Sequence, residues 1–344
     1  MKKTLIAVAA LSAMAASAMA ANVTLYGKLD QGIQVQKTKL TGAESKTTFK
    51  GTSGISSGSR WGLKGTEQIA DGYTVGFVVE SKIDGMDGKG DTSRLFNRDA
   101  FMTLGTPFGS LTVGRTGMLS DGCTGDIIAG QSSPFGTTYG IAAATANTFG
   151  DILGGRTDRA VRYVSPKFAG VQVHAEYANM NGKATASTKQ RYGGVGVSYA
   201  NGPFYAAIAA ETIRQAAGAA AEDPQIYSIA ANYDFGVAKV FGGYQYAKDS
   251  VWGGEKLNAG TLGVSAPVAG GKLYASAGYK DAEQTVNSDN KQKAFNLGLG
   301  YTYNFSKRTM FYTAAGYQEV KDEDSSGSSK TKTTTVITGL VHKF

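Results

Sequence analysis

The chain has 344 residues and a formal charge of +8, with 47 glycines and 18 tyrosines against 6 prolines, 2 histidines and one cysteine. A lone cysteine excludes an internal disulfide framework, and two histidines leave little material for a clustered metal site or a histidine-based hydrolase. The basic balance comes without a basic cluster, which argues against nucleic acid and assigns the charge to a pore wall or to lipid headgroups.

At the start of the chain, Lys2 and Lys3 precede an apolar run from Leu5 to Ala16 and the small-residue pattern Ala18-Met19-Ala20. This predicts a signal peptide over residues 1–20, with the mature chain at residues 21–344. The apolar run is shorter than the roughly twenty residues a helix needs to cross a bilayer. No later stretch does better, so any membrane crossing is expected through strands.

From residue 23 onward the pattern has period two, the strand signal. Val23, Leu25 and Leu29 alternate with Thr24, Tyr26, Lys28 and Asp30. Further on, Val171, Val173, Ala175 and Tyr177 alternate with Gln172, His174 and Glu176, and Phe295, Leu297, Leu299, Tyr301 and Tyr303 share one face of a late strand. Counting these runs against turn signals predicts about sixteen strands with one apolar and one wet face, the pattern of a transmembrane barrel.

The connectors alternate in length. Tight turns are expected near residues 106–109, 166–170, 201–202, 234–236 and 304–307, and longer polar loops at 37–58, 83–96, 184–189, 249–254, 282–290 and 321–330. One connector is out of scale. Residues of about 116–158 exceed what a compact domain leaves unstructured, and a wide lumen offers them an inward path as a constriction loop. Cys123 falls in this loop and is expected as an inert free thiol.

Strand parity sorts the charges. Trp61 and Leu63 read as lipid-facing, so Arg60 and Lys64 face the lumen; Val161 and Tyr163 likewise turn Arg162 inward. Lys28, Asp30, Glu80, Glu176 and Lys239 are further inner-wall candidates, while the parity of Arg115 stays open. Gly193-Gly194-Val195-Gly196 lacks the strand-turn-helix context of a dinucleotide site. His174 and His342 stand near no nucleophile motif, so no enzyme activity, cofactor or metal is expected. The chain ends on the strand Val336-Ile337-Thr338-Gly339-Leu340-Val341-His342-Lys343-Phe344.

Several segments in this order resemble the trimeric general porins of Gram-negative outer membranes, in their betaproteobacterial and neisserial branch. They include Thr24-Leu25-Tyr26-Gly27, Ser59-Arg60-Trp61-Gly62-Leu63-Lys64-Gly65, Asn97-Arg98-Asp99-Ala100-Phe101, Arg162-Tyr163-Val164-Ser165-Pro166, Asn232-Tyr233-Asp234-Phe235-Gly236 and the terminal His342-Lys343-Phe344. The resemblance implies an all-β, 16-stranded antiparallel barrel with short periplasmic turns, long external loops and a constriction loop folded into the lumen. It implies a homotrimer in the outer membrane, a general diffusion path for ions and small hydrophilic solutes, and contacts with outer-membrane lipid and lipopolysaccharide. Arg60, Arg98 and Arg156 would form a basic wall, joined by parity with Arg162 and Lys64, and Phe344 would be read by the barrel assembly machinery. Where relatives often carry Pro-Glu-Phe-Gly at the loop tip, this chain has Ser133-Pro134-Phe135-Gly136, leaving Asp121, Asp126 and Asp151 as the loop's acids. The basic wall implies weak anion selectivity. A substrate-specific channel, a barrel adhesin working through its external loops and a barrel hydrolase are the alternative readings.

Overall fold

The computed structural model describes residues 23–143, 155–180, 190–214, 223–249, 255–284 and 290–344. Its strands are β1 (Thr24–Leu40), β2 (Lys46–Ser53), β3 (Arg60–Ala70), β4 (Tyr73–Lys82), β5 (Ala100–Thr106), β6 (Gly109–Gly117), β7 (Arg156–Val164), β8 (Val171–Asn179) and β9 (Arg191–Asn201). They continue as β10 (Phe204–Arg214), β11 (Gln225–Asp234), β12 (Lys239–Lys248), β13 (Glu255–Val268), β14 (Gly271–Gln284), β15 (Lys291–Asn304), β16 (Thr309–Asp324) and β17 (Gly327–Lys343). Each pairs antiparallel with its neighbours, and β17 closes on β1 from Lys28 opposite Lys343 to Leu40 opposite Thr331. Closure leaves no sheet edge for another chain to extend.

These strands fill sixteen places, because β2 and β3 share one. β2 pairs with residues 31–38 of β1 and β3 with residues 24–28. The break between them, residues 54–59, is pinned by Gly54 N–H on Asp30 O (2.9 Å) and Asp30 N–H on Ser59 Oγ (2.9 Å). Gly54 takes φ +80° there, a conformation that side chains disfavour.

The outward face is apolar and exposed, as at Val161, Val173, Val197, Ile208, Leu262 and Leu299. Inward positions on the same strands are small or polar and buried, as at Ala207, Ala209, Ser228 and Ala230. This inverts a soluble protein and fits a wall with lipid outside and water inside.

Two stretches expected as loops are largely strand. Residues 37–58 continue as β1, a turn at 41–45 and β2, and residues 321–330 continue as β16, a two-residue turn and β17. Both faces are polar here, so the apolar alternation that marks strands is missing from the sequence. Between β16 and β17 cross-strand ion pairs take its place, with Lys330 and Lys332 on Glu319 (2.7 and 3.5 Å).

After β6 the chain turns along the inner face of the barrel. Met118, Leu119 and Ile128 are fully buried against Tyr192, Ala209 and Ile226 of β9 to β11. Each such side chain stabilises this seat by about 1.5–3 kcal/mol. A short helix, α1 (Ala129–Ser132), and a 3₁₀ turn (Gly140–Ala142) carry the segment on to β15–β17. There Phe135 packs on Tyr274 (5.5 Å between ring centres) and Tyr139 meets Tyr312 edge-on (5.5 Å).

Candidate functional site

Three arginines from separate elements meet on the inner wall near the break between β2 and β3. Arg60 opens β3 opposite Lys28 on one side and Lys82 on the other. Arg98 lies just before β5, its backbone N–H donating to Glu80 O (3.2 Å), and Arg156 opens β7. Glu80 accepts from both Arg60 Nη1 (3.2 Å) and Arg98 Nε (2.5 Å), while Asp99 accepts from Arg156 Nε (2.9 Å). Tyr26 donates its hydroxyl to the other Glu80 oxygen (3.2 Å).

The carboxylates sit behind the cations. Side chains of Arg60, Arg98 and Arg156 are 19%, 18% and 14% exposed, against 6% for Glu80 and Asp99. The lumen therefore meets guanidinium edges first. Ser57, in the break, accepts from Lys28 Nζ and Arg60 Nη2, and Arg60 Nε donates to Gly58 O (3.0 Å), so the interruption of the strand holds two cations in place.

Arg162 and Lys64 also face inward but stand apart from this group. Arg162 is buried beneath the root of the inward segment, paired with Glu176 (2.7 Å from Nε) and donating to Thr124 O (3.0 Å) and Gly117 O. Lys64 lies over the Tyr26 ring, 5.2 Å from its centre.

The loop acids separate in the same way. Asp126 accepts from the N–H groups of Ile128 (3.0 Å), Ala129 (2.9 Å) and Gly130 (2.6 Å), fixing the start of α1. Burial raises its carboxyl above the ordinary range, against the pull of those N–H groups. Asp121 lies beside Gly155, and its charge reaches the Cys123 thiol, which Arg156 and Arg98 also act on. Asp151 falls outside the described residues. Tyr139, whose phenol burial pushes up to about 12, stays protonated and accepts from Ser56 Oγ (2.8 Å). At the chain end, Phe344 and Gly27 exchange two backbone hydrogen bonds of 3.1 Å, and the Phe344 ring fills the space a Cβ on Gly27 would need.

Sequence reasoning reached Glu80 by parity but missed Asp99. The signal was present: an acid directly after Arg98 whose strand neighbour Ala100 begins β5. Among the described residues no cluster of three or more His, Cys, Asp or Glu is placed to hold a metal ion.

Cys123 provides a check on this corner. Burial raises its thiol above the usual value, outweighing the nearby Arg156, so the neutral thiol dominates at pH 7–8. Alkylation by iodoacetamide is expected to run at least several-fold slower at pH 8 than for an exposed cysteine, and to keep rising beyond pH 9. A rate that levels off below pH 8 would contradict this burial.

A family model described as Gram-negative porin matches residues 7–323. Outer membrane porin protein 32 of Delftia acidovorans is 32% identical over 95% of this chain and 92% of its own length. Among solved structures, an anion-selective porin from Comamonas acidovorans superposes with a TM-score of 0.73 at 28% identity, covering 94% of this chain and all of that one. OmpT of Vibrio cholerae in its trimer form has the same fold, with a TM-score of 0.65 at 18% identity over 94% of this chain and all of its own.

Proposed function

The chain belongs to the Gram-negative porin family, and from that premise we propose that it forms a weakly anion-selective general diffusion channel, bounded at its narrowest by Arg60, Arg98 and Arg156. It is an outer-membrane barrel of a Gram-negative bacterium and a passive channel, not an enzyme. Facing the arginines is the inward segment, which we read as a constriction loop of residues 116–158, in a chain exported by a signal peptide over residues 1–20. The working unit is a homotrimer, and Phe344 is the residue offered to the assembly machinery.

The observation that carries this reading is the layering of the site. Guanidiniums, protonated at any physiological pH, lie nearer the lumen than the carboxylates that pair with them. An anion passing the wall meets donors that replace part of its hydration, whereas a cation meets like charge first. Three arginines against Glu80 and Asp99, with Lys28 beside Arg60, leave a small positive surplus. That surplus is why the selectivity is weak.

The test is the reversal potential of the purified protein in a planar bilayer under a salt gradient. The wild type is expected to favour anions. Arg60→Gln, Arg98→Gln or Arg156→Gln each lowers the surplus and is expected to reduce the anion preference. Wild-type cation preference, or three variants indistinguishable from wild type, would refute the basic wall.

A further inference from the structure

One buried carboxylate shapes the break between β2 and β3. Asp30 of β1 is fully buried, and its partners are neutral donors. The Tyr312 hydroxyl donates to Oδ1 (2.7 Å), Ser57 N–H donates to Oδ2 (2.7 Å), and Ser56 N–H donates to the same carboxylate. The Asp30 backbone grips both ends of the break as well, accepting from Gly54 N–H (2.9 Å) and donating to Ser59 Oγ (2.9 Å). A carboxylate out of water is tolerated only while its oxygens are satisfied, so the break must keep presenting its N–H groups to Asp30.

The chain makes room for this contact. A Cβ on Gly32 of β1 or Gly339 of β17 would stand 2.7 or 2.5 Å from the Tyr312 hydroxyl, so both strands pass it as glycine. The inward segment reaches the same break: Tyr139 N–H donates to Ile55 O (2.7 Å), Ser56 Oγ donates to the Tyr139 hydroxyl (2.8 Å), and the Tyr139 ring meets Tyr312 edge-on. Tyr139 takes φ +70°, a left-handed backbone that a tyrosine keeps only where its surroundings impose it. The break in turn holds the cations, since Ser57 Oγ accepts from Lys28 Nζ and Arg60 Nη2, and Gly58 O accepts from Arg60 Nε (3.0 Å). Gly58 also lets Arg98 past, because a Cβ there would lie 3.1 Å from Arg98 Nη1.

We propose that Asp30 is a positioning residue for the basic wall: it locks the break in the shape that aims Lys28 and Arg60, and Tyr312 and Tyr139 make that lock depend on the seat of the inward segment. The inference rests on reading the arginines as the selective boundary of the channel. Its consequence is that two neutral hydroxyls set the selectivity alongside the fixed charges. Without the Tyr312 hydroxyl, Asp30 Oδ1 loses its donor, and the carboxylate draws on the nearest charge left to it, Lys28. Lys28 then leaves Ser57 and turns away from the lumen, and Arg60 loses the partner geometry it shares with Lys28. An ion's energy beside a charge falls with distance, so both movements weaken the hold on a passing anion.

The test compares anion-to-cation permeability ratios, from reversal potentials of the full-length protein in a planar bilayer, for Tyr312→Phe and Asp30→Asn, each alone and combined with Arg60→Gln. Y312F alters no charge at pH 7 and is expected to lower the ratio roughly twofold, as the loss of one hydrogen bond allows. That effect is expected to shrink when Arg60 is absent. D30N removes a negative charge, which by itself would raise the ratio by the same factor in both backgrounds; a positioning role makes the two factors differ. Y312F equal to wild type, or D30N acting equally in both backgrounds, overturns the proposal and leaves Asp30 a plain fixed charge. Tyr139→Phe, which leaves both Asp30 oxygens their donors, is expected to act in the direction of Y312F; it replaces Y312F if that variant fails to fold, and a silent Y139F then overturns the proposal. R60Q without effect removes the arginine wall and the proposal with it, whereas an effective R60Q beside a silent Y312F removes the proposal alone.

Discussion

Replacing Arg162 with alanine is expected to destabilise the barrel by about 3–5 kcal/mol, the cost of leaving a buried charge without its partner. The side chains of Arg162 and Glu176 are 5% and 0% exposed, so neither can be rehydrated in the folded state. The same guanidinium donates to Gly117 O and Thr124 O, which tie the root of the inward segment to β7. Thr157 Oγ1 donates to the other Glu176 oxygen (2.7 Å) and cannot neutralise it. Arg162→Lys is expected to recover only part of the loss, because an ammonium lacks the fork that reaches three acceptors at once. The double change R162L/E176L should restore much of it, since a packed apolar pair needs no compensating charge. Urea unfolding followed by the migration of unheated and heated protein on gels measures all three variants against the wild type. A loss below about 1 kcal/mol for Arg162→Ala would place Arg162 among weakly contributing surface charges. Sequence parity assigned this residue to the pore wall; its burial makes it an anchor for the segment that faces the wall.

The second large effect is expected at two glycines of β15 and β16. A Cβ on Gly298 would fall on Ala142 O, and one on Gly316 on Ile141 O and Ala142 Cα. Neither glycine has a left-handed backbone, so alanine is conformationally acceptable and only the space is at issue. In G298A/G316A the 3₁₀ turn must retreat from its wall by about 1 Å, at an overpacking cost of roughly 1–3 kcal/mol. The retreat carries the turn into the lumen and strains the Tyr139–Tyr312 contact, so single-channel conductance is expected to fall and the current to become noisier. Gly260→Ala is the control, since a Cβ there meets nothing nearer than 3.8 Å. Unaltered conductance and stability in the double variant would show that this turn has no bearing on the open path.

Much of the architecture was legible in the chain because the strand signal is local. Alternation at Val171–Tyr177 and Phe295–Tyr303 fixes which side chains share a face, and the same alternation assigns Arg60, Lys64 and Arg162 to the inner face. The spacing of turn residues likewise carried the number of barrel places. Where both faces are wet, as in β2 and the distal ends of β16 and β17, that signal vanishes, and only cross-strand pairing reveals the strands.

What a residue does after it points inward was decided by tertiary structure. Arg60 and Arg98 meet over Glu80 because β3, β4 and the start of β5 lie side by side, whereas Arg162 is covered by a segment arriving from the end of β6. Asp126 satisfies three backbone N–H groups that exist only because α1 forms there. Arg115 shows the limit most clearly: a one-residue slip against β7 sets its face, and the slip belongs to the pairing of two strands. The sequence by itself determined the barrel and the sidedness of its regular strands, since period two is a property of one strand at a time. Pairing, burial and bulges depend on several strands at once, so the partners of each charge were settled only when the barrel closed.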